Sequence, residues 1–155
     1  AAIDFSDAYA PFFLGVFSAD EDESVEGPEG LADKTIGVTR GAVEDMELSN
    51  IAPDSTTVQR FEDNATTISA FLSGQVDYVA TGNVVAAEIA ERNSDRAPSM
   101  IYQLKDSPCY VGMNKNEPAL MEEVNRLIAQ GLEDGTLNEL SQRWFSADLP
   151  ENFGS

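Results

Sequence analysis

Between residues 35 and 104 four short apolar runs alternate with helical patterns, and no other feature restricts the possible folds as much. The runs are TIGVT (35–39), TVQRF (57–61), VDYVAT (76–81) and SMIYQL (99–104). Each is too short for a buried helix and rich in β-branched or aromatic residues, which predicts strands. Between them lie GAVEDMELS, then NATTISAFLSG with Ile68, Phe71 and Leu72 at helical spacing, then VVAAEIAERN (84–93). Gly74 is placed to end the second helix, because glycine accepts the left-handed conformation that closes many helices. Strands that alternate with helices predict βαβ units and a parallel sheet, hence an α/β fold. At 155 residues the length alone suits one domain better than two.

The flanks differ from this centre. Residues 3–18, IDFSDAYAPFFLGVFS, form an extended apolar and aromatic stretch interrupted by Pro11 and Gly15. The next dozen, ADEDESVEGPEG, read as a solvated acidic loop. Asp20, Asp22 and Ser24 resemble the start of a calcium loop, but the glycine and closing glutamate that such a loop needs are missing. Near the other end Pro118 fits a first helical position, and Leu120, Val124, Leu127, Ile128 and Leu132 trace one face. Asp134-Gly135 breaks that helix. Thr136 with Glu139 has the spacing of a capping box, and Leu137, Leu140 and Trp144 form a second apolar stripe suited to packing against another body.

Charge and composition prune the chemistry. Against 9 basic residues stand 28 acidic ones, a net charge of −19, which argues against nucleic acid and against an anionic membrane surface. Such a surface serves solubility or adaptation to salt. With no histidine, a Ser-His-Asp or Cys-His pair is excluded and the usual zinc sites are not expected, so no metal is expected. Carboxylates, lysine or tyrosine remain as acid–base groups, and an enzyme is disfavoured. The single Cys109 excludes an internal disulfide. No Walker or dinucleotide glycine pattern occurs, and no cofactor is expected. No apolar run approaches the roughly 18 residues of a membrane span. The opening AAIDFSDAY has no basic signal-peptide region, and its direct entry into a strand suggests that an upstream segment, signal peptide included, has been removed.

In open parallel sheets ligands bind where loops leave the carboxyl ends of strands. Two such corners have suitable residues. In Thr39-Arg40-Gly41-Ala42-Val43, a helix starting at Gly41 presents the N–H groups of Ala42 and Val43 to an anion, and Gly41 permits close approach. Arg40 adds a carboxylate contact or points to solvent. The same five residues also read as a plain strand-to-helix turn. In Thr81-Gly82-Asn83, Asn83 reads as the N-cap of the next helix, with the Thr81 hydroxyl available at the strand end. Asn64, within the sequon Asn64-Ala65-Thr66, reads as another cap.

In this order the segments resemble the C-terminal two-thirds of a family 3 (polar amino acid) solute-binding protein of bacterial ABC importers. IDFSDAY is similar to the chain's exit from lobe 1. LADKTIGVTRGAVED is similar to that family's Leu-x-Gly-Lys turn, strand and Gly-Thr corner, and RFEDNATTISAFLSGQVDYVATGN to the helix and strand that follow. SPCYVGMNKNEPALMEEVNRLIAQGLEDGTLNELSQRWF is similar to the return strand and paired terminal helices, ending in Arg143-Trp144-Phe145.

The resemblance implies a periplasmic-binding-protein-like (class II) architecture. Residues 1–18 would hold the end of lobe 1 and the first hinge strand (9–18), residues 19–108 lobe 2, and residues 109–115 the second hinge strand. Residues 116–155 would be helices that pack on lobe 1, whose N-terminal half is missing, so an oligomer or a swapped assembly is expected. It further implies capture of an amino acid, or an amino-acid-like organic acid, at Thr39, Arg40, Gly41, Ala42, Val43, Thr81, Gly82 and Asn83, with Tyr9 at the start of the hinge. Ala42 replaces that family's usual hydroxyl residue, and Gly82 stands where an aspartate commonly meets the ligand's ammonium. An ABC permease would be the partner and the periplasm, or a lipid anchor at the cell surface, the location. Two other functions use this fold: the extracellular sensor of a receptor kinase, and a cyclohexadienyl-type dehydratase, for which Glu44, Asp45 and Glu62 are the acid candidates.

Overall fold

A computed structural model describes residues 2–145 and 147–153. In chain order its elements are β1 (Ile3–Ala10), β2 (Phe13–Ser18), β3 (Thr35–Thr39), α1 (Val43–Ile51), β4 (Thr57–Phe61), α2 (Asn64–Leu72), β5 (Tyr78–Gly82) and α3 (Asn83–Arg92). There follow β6 (Ser99–Asp106), β7 (Cys109–Asn114), α4 (Pro118–Glu133) and α5 (Thr136–Phe145). Short 3-10 turns occupy Pro28–Leu31 and Ser94–Arg96. The chain divides into two compact units, where length alone suits one. One unit holds residues 13–106, and the other combines the residues up to 12 with those from 107 on.

The unit of residues 13–106 is a five-stranded sheet in the order β4-β3-β5-β2-β6. β3 pairs in parallel with β4 and β5, as the alternation of runs and helices predicts. The sheet is mixed rather than wholly parallel, because β2 runs antiparallel between β5 and β6. α3 crosses from β5 to β6, which run in the same direction on either side of β2. β2 has no such connection to either neighbour and fills the gap in the opposite direction.

Strand alternation sorts the core onto two faces. Val16, Ile36, Val38, Tyr78, Ala80 and Ile101 pack with Leu31 and with Leu48 of α1. Phe17 and Val79 point the other way, against Ala70 and Phe71 of α2 and Ala86 of α3. The Phe71 ring is fully buried, which contributes about 2–3 kcal/mol. The acidic segment after β2 is less solvated than its composition suggests. Val25 packs on the core and its N–H donates to the Ile101 carbonyl (3.4 Å). Glu23 accepts from the Ser18 hydroxyl (2.7 Å) and from the buried Tyr78 hydroxyl.

In the other unit β1 pairs antiparallel with β7, Ile3 opposite Asn114 and Phe5 opposite Gly112. Among the described residues Ser6, Pro11, Met113, Ile128 and Ser141 are buried in it. Asn125 of α4 accepts from the Asp7 N–H (2.9 Å), which ties that helix to β1. Leu120, Leu127, Leu140 and Trp144 remain exposed within this unit.

Helix starts differ from the sequence reading by one residue at two places. Asp63, not Asn64, caps α2, accepting from the Thr66 N–H at 2.8 Å. Gly82, not Asn83, occupies the N-cap of α3. At α5 Asp134 accepts the Thr136 N–H at 2.9 Å, in place of the expected pair of Thr136 and Glu139. Gly74 follows α2 in the left-handed region (φ 77°), as expected of it.

Candidate functional site

Because β3 and β5 are parallel neighbours, their carboxyl ends lie at one edge of the sheet. Thr39–Val43 and Thr81–Asn83 are thus brought together on adjacent strands, which in a sheet run about 4.8 Å apart. Tyr9 stands on β1, in the other unit, and is about two-fifths exposed.

At the first corner the helix begins at Val43 rather than Gly41. Thr39 to Ala42 form a turn in which the Ala42 N–H donates to the Thr39 carbonyl (3.2 Å) and Gly41 takes the left-handed conformation at φ 72°. Glycine at the third position with positive φ matches a type II turn. No atom lies within 4 Å of where a Gly41 Cβ would stand, so φ, not crowding, demands glycine. The Gly41 N–H is itself engaged, donating to Asp45 Oδ2 at 3.0 Å. The Ala42 N–H that was expected to be free therefore serves the turn. The N–H groups of α1's first residues, Val43 onward, are the ones without an intrahelical partner.

Residues 60–67 hold this corner from the adjacent strand and helix. The Arg40 N–H donates to the Phe61 carbonyl (2.9 Å). The Thr39 hydroxyl donates to Asn64 Oδ1 (2.6 Å) and shares a hydrogen bond with the Thr67 hydroxyl (3.0 Å). The Arg40 guanidinium reaches Glu62 at 2.6 Å, a pair with side chains 60% and 79% exposed, which contributes little to stability. Asp45 is buried and accepts from Arg60 Nε (2.8 Å) and from the Ser49 hydroxyl (3.3 Å). Burial alone would raise its carboxyl. The Gly41 N–H, the charge and Nε–H of Arg60 and the Ser49 hydroxyl outweigh burial and hold it below the ordinary carboxylate value.

At the second corner Thr81, Gly82 and Asn83 are all buried. The Asn83 side chain does not cap α3; its oxygen accepts from the Phe13 N–H at the start of β2 (3.2 Å). The Thr81 hydroxyl has no hydrogen bond among the described residues, in contrast to that of Thr39. No carboxylate stands on this corner at position 82.

Sequence reasoning missed Asp45, Arg60, Asn64 and Thr67 as supports. Asp45 carried a signal: it lies three residues after Ala42, the acid half of a capping box whose hydroxyl half is lacking. Nothing local marks Arg60, 15 residues away on the strand beyond. Among the described residues no cluster of His, Cys, Asp or Glu is placed to hold a metal ion, and no helix is long and apolar enough to cross a membrane.

The ABC transporter glutamine-binding protein GlnH of Bacillus subtilis (strain 168) is 29% identical over 156 residues, covering 96% of this chain and 54% of GlnH. The chain spans about half the length of the curated relatives it matches. Among solved structures, an ancestral cationic amino acid solute-binding protein (AncCDT-1) superposes with a TM-score of 0.77 at 25% identity, over 93% of this chain and 62% of that one. Another structure of AncCDT-1 is described as a precursor of cyclohexadienyl dehydratase (TM-score 0.61, 25% identity, the same coverage). The substrate-binding protein AbpA of Streptococcus pneumoniae Canada MDR_19A, bound to L-arginine, gives 0.65 at 26% identity, over 97% of this chain and 64% of AbpA. The sequence model of the bacterial extracellular solute-binding proteins, family 3, matches residues 1–147, and the chain belongs to that family.

Proposed function

We propose that the protein is the binding component of an ABC importer, which captures an amino acid or an amino-acid-like organic acid without covalent chemistry. One observation carries this reading: two turns on adjacent parallel strands share a sheet edge, one offering the first N–H groups of α1 and the other the unengaged Thr81 hydroxyl. Together they supply the polar groups that a helix N-terminus and a strand end direct at a small carboxylate. The ligands of two relatives, glutamine for GlnH and L-arginine for AbpA, support an α-amino acid. Gly82 offers no carboxylate, so the ammonium has to be met by carbonyls or by Asn83. On the same reading Thr39–Val43, Thr81–Asn83 and Tyr9 are the ligand-binding residues. Residues 9–18 and 109–115 act as the hinge, a permease is the partner, and the site of action is the periplasm or the cell surface.

The likeness to a dehydratase precursor raises an enzyme as a second reading, and the acid candidate Asp45 speaks against it. A general acid works best with a raised pKa, whereas the Gly41 N–H and Arg60 outweigh burial and hold the Asp45 carboxyl below its ordinary value. A thermal-shift screen of the protein against L-glutamine, L-arginine, opines and small carboxylates tests the proposal. A ligand at a hundred times its dissociation constant stabilises the folded state by about 2.7 kcal/mol. If no compound raises the melting temperature, the binding reading is wrong; turnover of any of them would favour the enzyme.

A further inference from the structure

The way the first corner is held assigns a function to two residues behind it, Asp45, which accepts from the Gly41 N–H, and Arg60, which pairs with Asp45. We propose that Asp45 and Arg60 are positioning residues: their ion pair fixes the left-handed turn at Gly41 so that the N–H groups of α1 point at the ligand. This rests on the proposed ligand corner and deepens it.

Three observations carry the inference. First, Gly41 is exposed and nothing packs against it, so side-chain packing does not hold its unusual conformation. Two hydrogen bonds do, the long turn bond from Ala42 and the 3.0 Å bond from Gly41 to Asp45. Second, Asp45 is only 8% exposed and both its oxygens are engaged on the protein side, so it holds the turn without needing to touch the ligand. Third, the carboxylate is aimed by a closed set of contacts. Arg60 Nε holds Oδ1 at 2.8 Å while Arg60 Nη2 donates to Ser49 Oγ at 2.8 Å, and Ser49 donates back to Oδ1. Arg60 stands on β4, beside Phe61, whose carbonyl holds the Arg40 N–H. The corner is thereby registered against β4 at two successive residues.

The Arg60 side chain is 39% exposed, and an ion pair open to solvent on one side contributes little to stability. Stability therefore does not by itself account for charged residues here, whereas aiming a backbone N–H does.

The test uses the whole chain, with L-glutamine and L-arginine as probes in isothermal titration calorimetry. Where wild type binds neither, the probe is the compound that gives the largest shift in the thermal-shift screen; if wild type binds none of them, the proposed function is what fails. Given binding, Asp45→Ala should weaken affinity by about tenfold or more, the loss expected for one misaligned charge-assisted bond. Asp45→Asn keeps an acceptor for Gly41 but not the charge that holds Arg60, and should lose less. The double variant Asp45→Leu, Arg60→Leu separates the roles: melting within a few degrees of wild type with affinity still down about tenfold supports positioning. Amide exchange gives a further readout, with the Gly41 N–H protected in wild type and unprotected in Asp45→Ala. Wild-type affinity in either the folded Ala variant or the folded double variant overturns the proposal, as does a double variant that loses affinity only in proportion to its unfolding.

Discussion

Replacing Glu23 by glutamine tests whether the acidic segment after β2 is anchored to the sheet through charge. The Glu23 carboxylate accepts from two hydroxyls, Ser18 and the buried Tyr78, and lies 3.8 Å from Lys34 Nζ. A hydrogen bond to a charged group contributes about 1.5–3 kcal/mol and a neutral one about 1. Two bonds that change from charged to neutral therefore lose about 2 kcal/mol. Because the Glu23 side chain is 30% exposed, solvent screening reduces this to about 1–1.5 kcal/mol. The Tyr78 and Ser18 hydroxyls and the Lys34 charge lower the Glu23 pKa below its ordinary 4.5, against the opposing effect of burial. For a lowered carboxylate the stabilisation is complete above the unfolded value and is lost as pH falls through the folded one. Glu23→Gln should thus be less stable by about 1–1.5 kcal/mol at pH 7, with the deficit shrinking as pH falls below the ordinary 4.5. Urea unfolding followed by far-ultraviolet circular dichroism measures the difference. Exchange of the amides of residues 13–18 and 78–82 localises it, since the single tryptophan, Trp144, lies in the other unit. Equal stability at pH 7, or the same deficit at pH 3, would refute the charged anchor.

Other substitutions probe the corners and the core. Gly41→Ala forces a side chain into φ 72° with open space around it, so backbone strain of about 1–2 kcal/mol should appear as a lowered melting temperature. Weaker ligand binding in titration calorimetry should accompany it. Thr81→Val should leave melting nearly unchanged and weaken ligand affinity by about 1 kcal/mol; unchanged affinity removes Thr81 from the site. Phe71→Ala empties a fully buried position under α2 and should destabilise the unit by about 3–5 kcal/mol in denaturant titration.

The parts of this fold that could be read from sequence are those set by short-range pattern. All five residues of β5 are buried, and a continuous apolar run announces such a strand. The direction of β2 could not be read, because a strand's local pattern is the same whichever way it runs. Neighbouring residues compete for caps: Asp63 and Asn64 are both good ones, and only backbone angles decide between them. Asn83 was diverted from capping by Phe13, 70 residues away. Glu23 looked solvated because its partner Tyr78 is 55 residues distant. At the corner Gly41 is legible and its bond to Asp45 is not, since an acid at a helix start has the same local pattern whether it serves as a general acid or holds a turn.

The pairing of Ile3 with Asn114 joins segments separated by the whole of the other unit. Left as random coil, the intervening stretch of roughly ninety residues would impose a closure entropy of about 4 kcal/mol on that pairing. Once residues 13–106 have folded, Phe13 and Asp106 are paired across β2 and β6, and the flanking strands start side by side. The inserted body therefore acts as a folding template for the discontinuous one. An isolated 13–106 fragment should unfold cooperatively by itself, while a mixture of the two outer segments without it should not assemble.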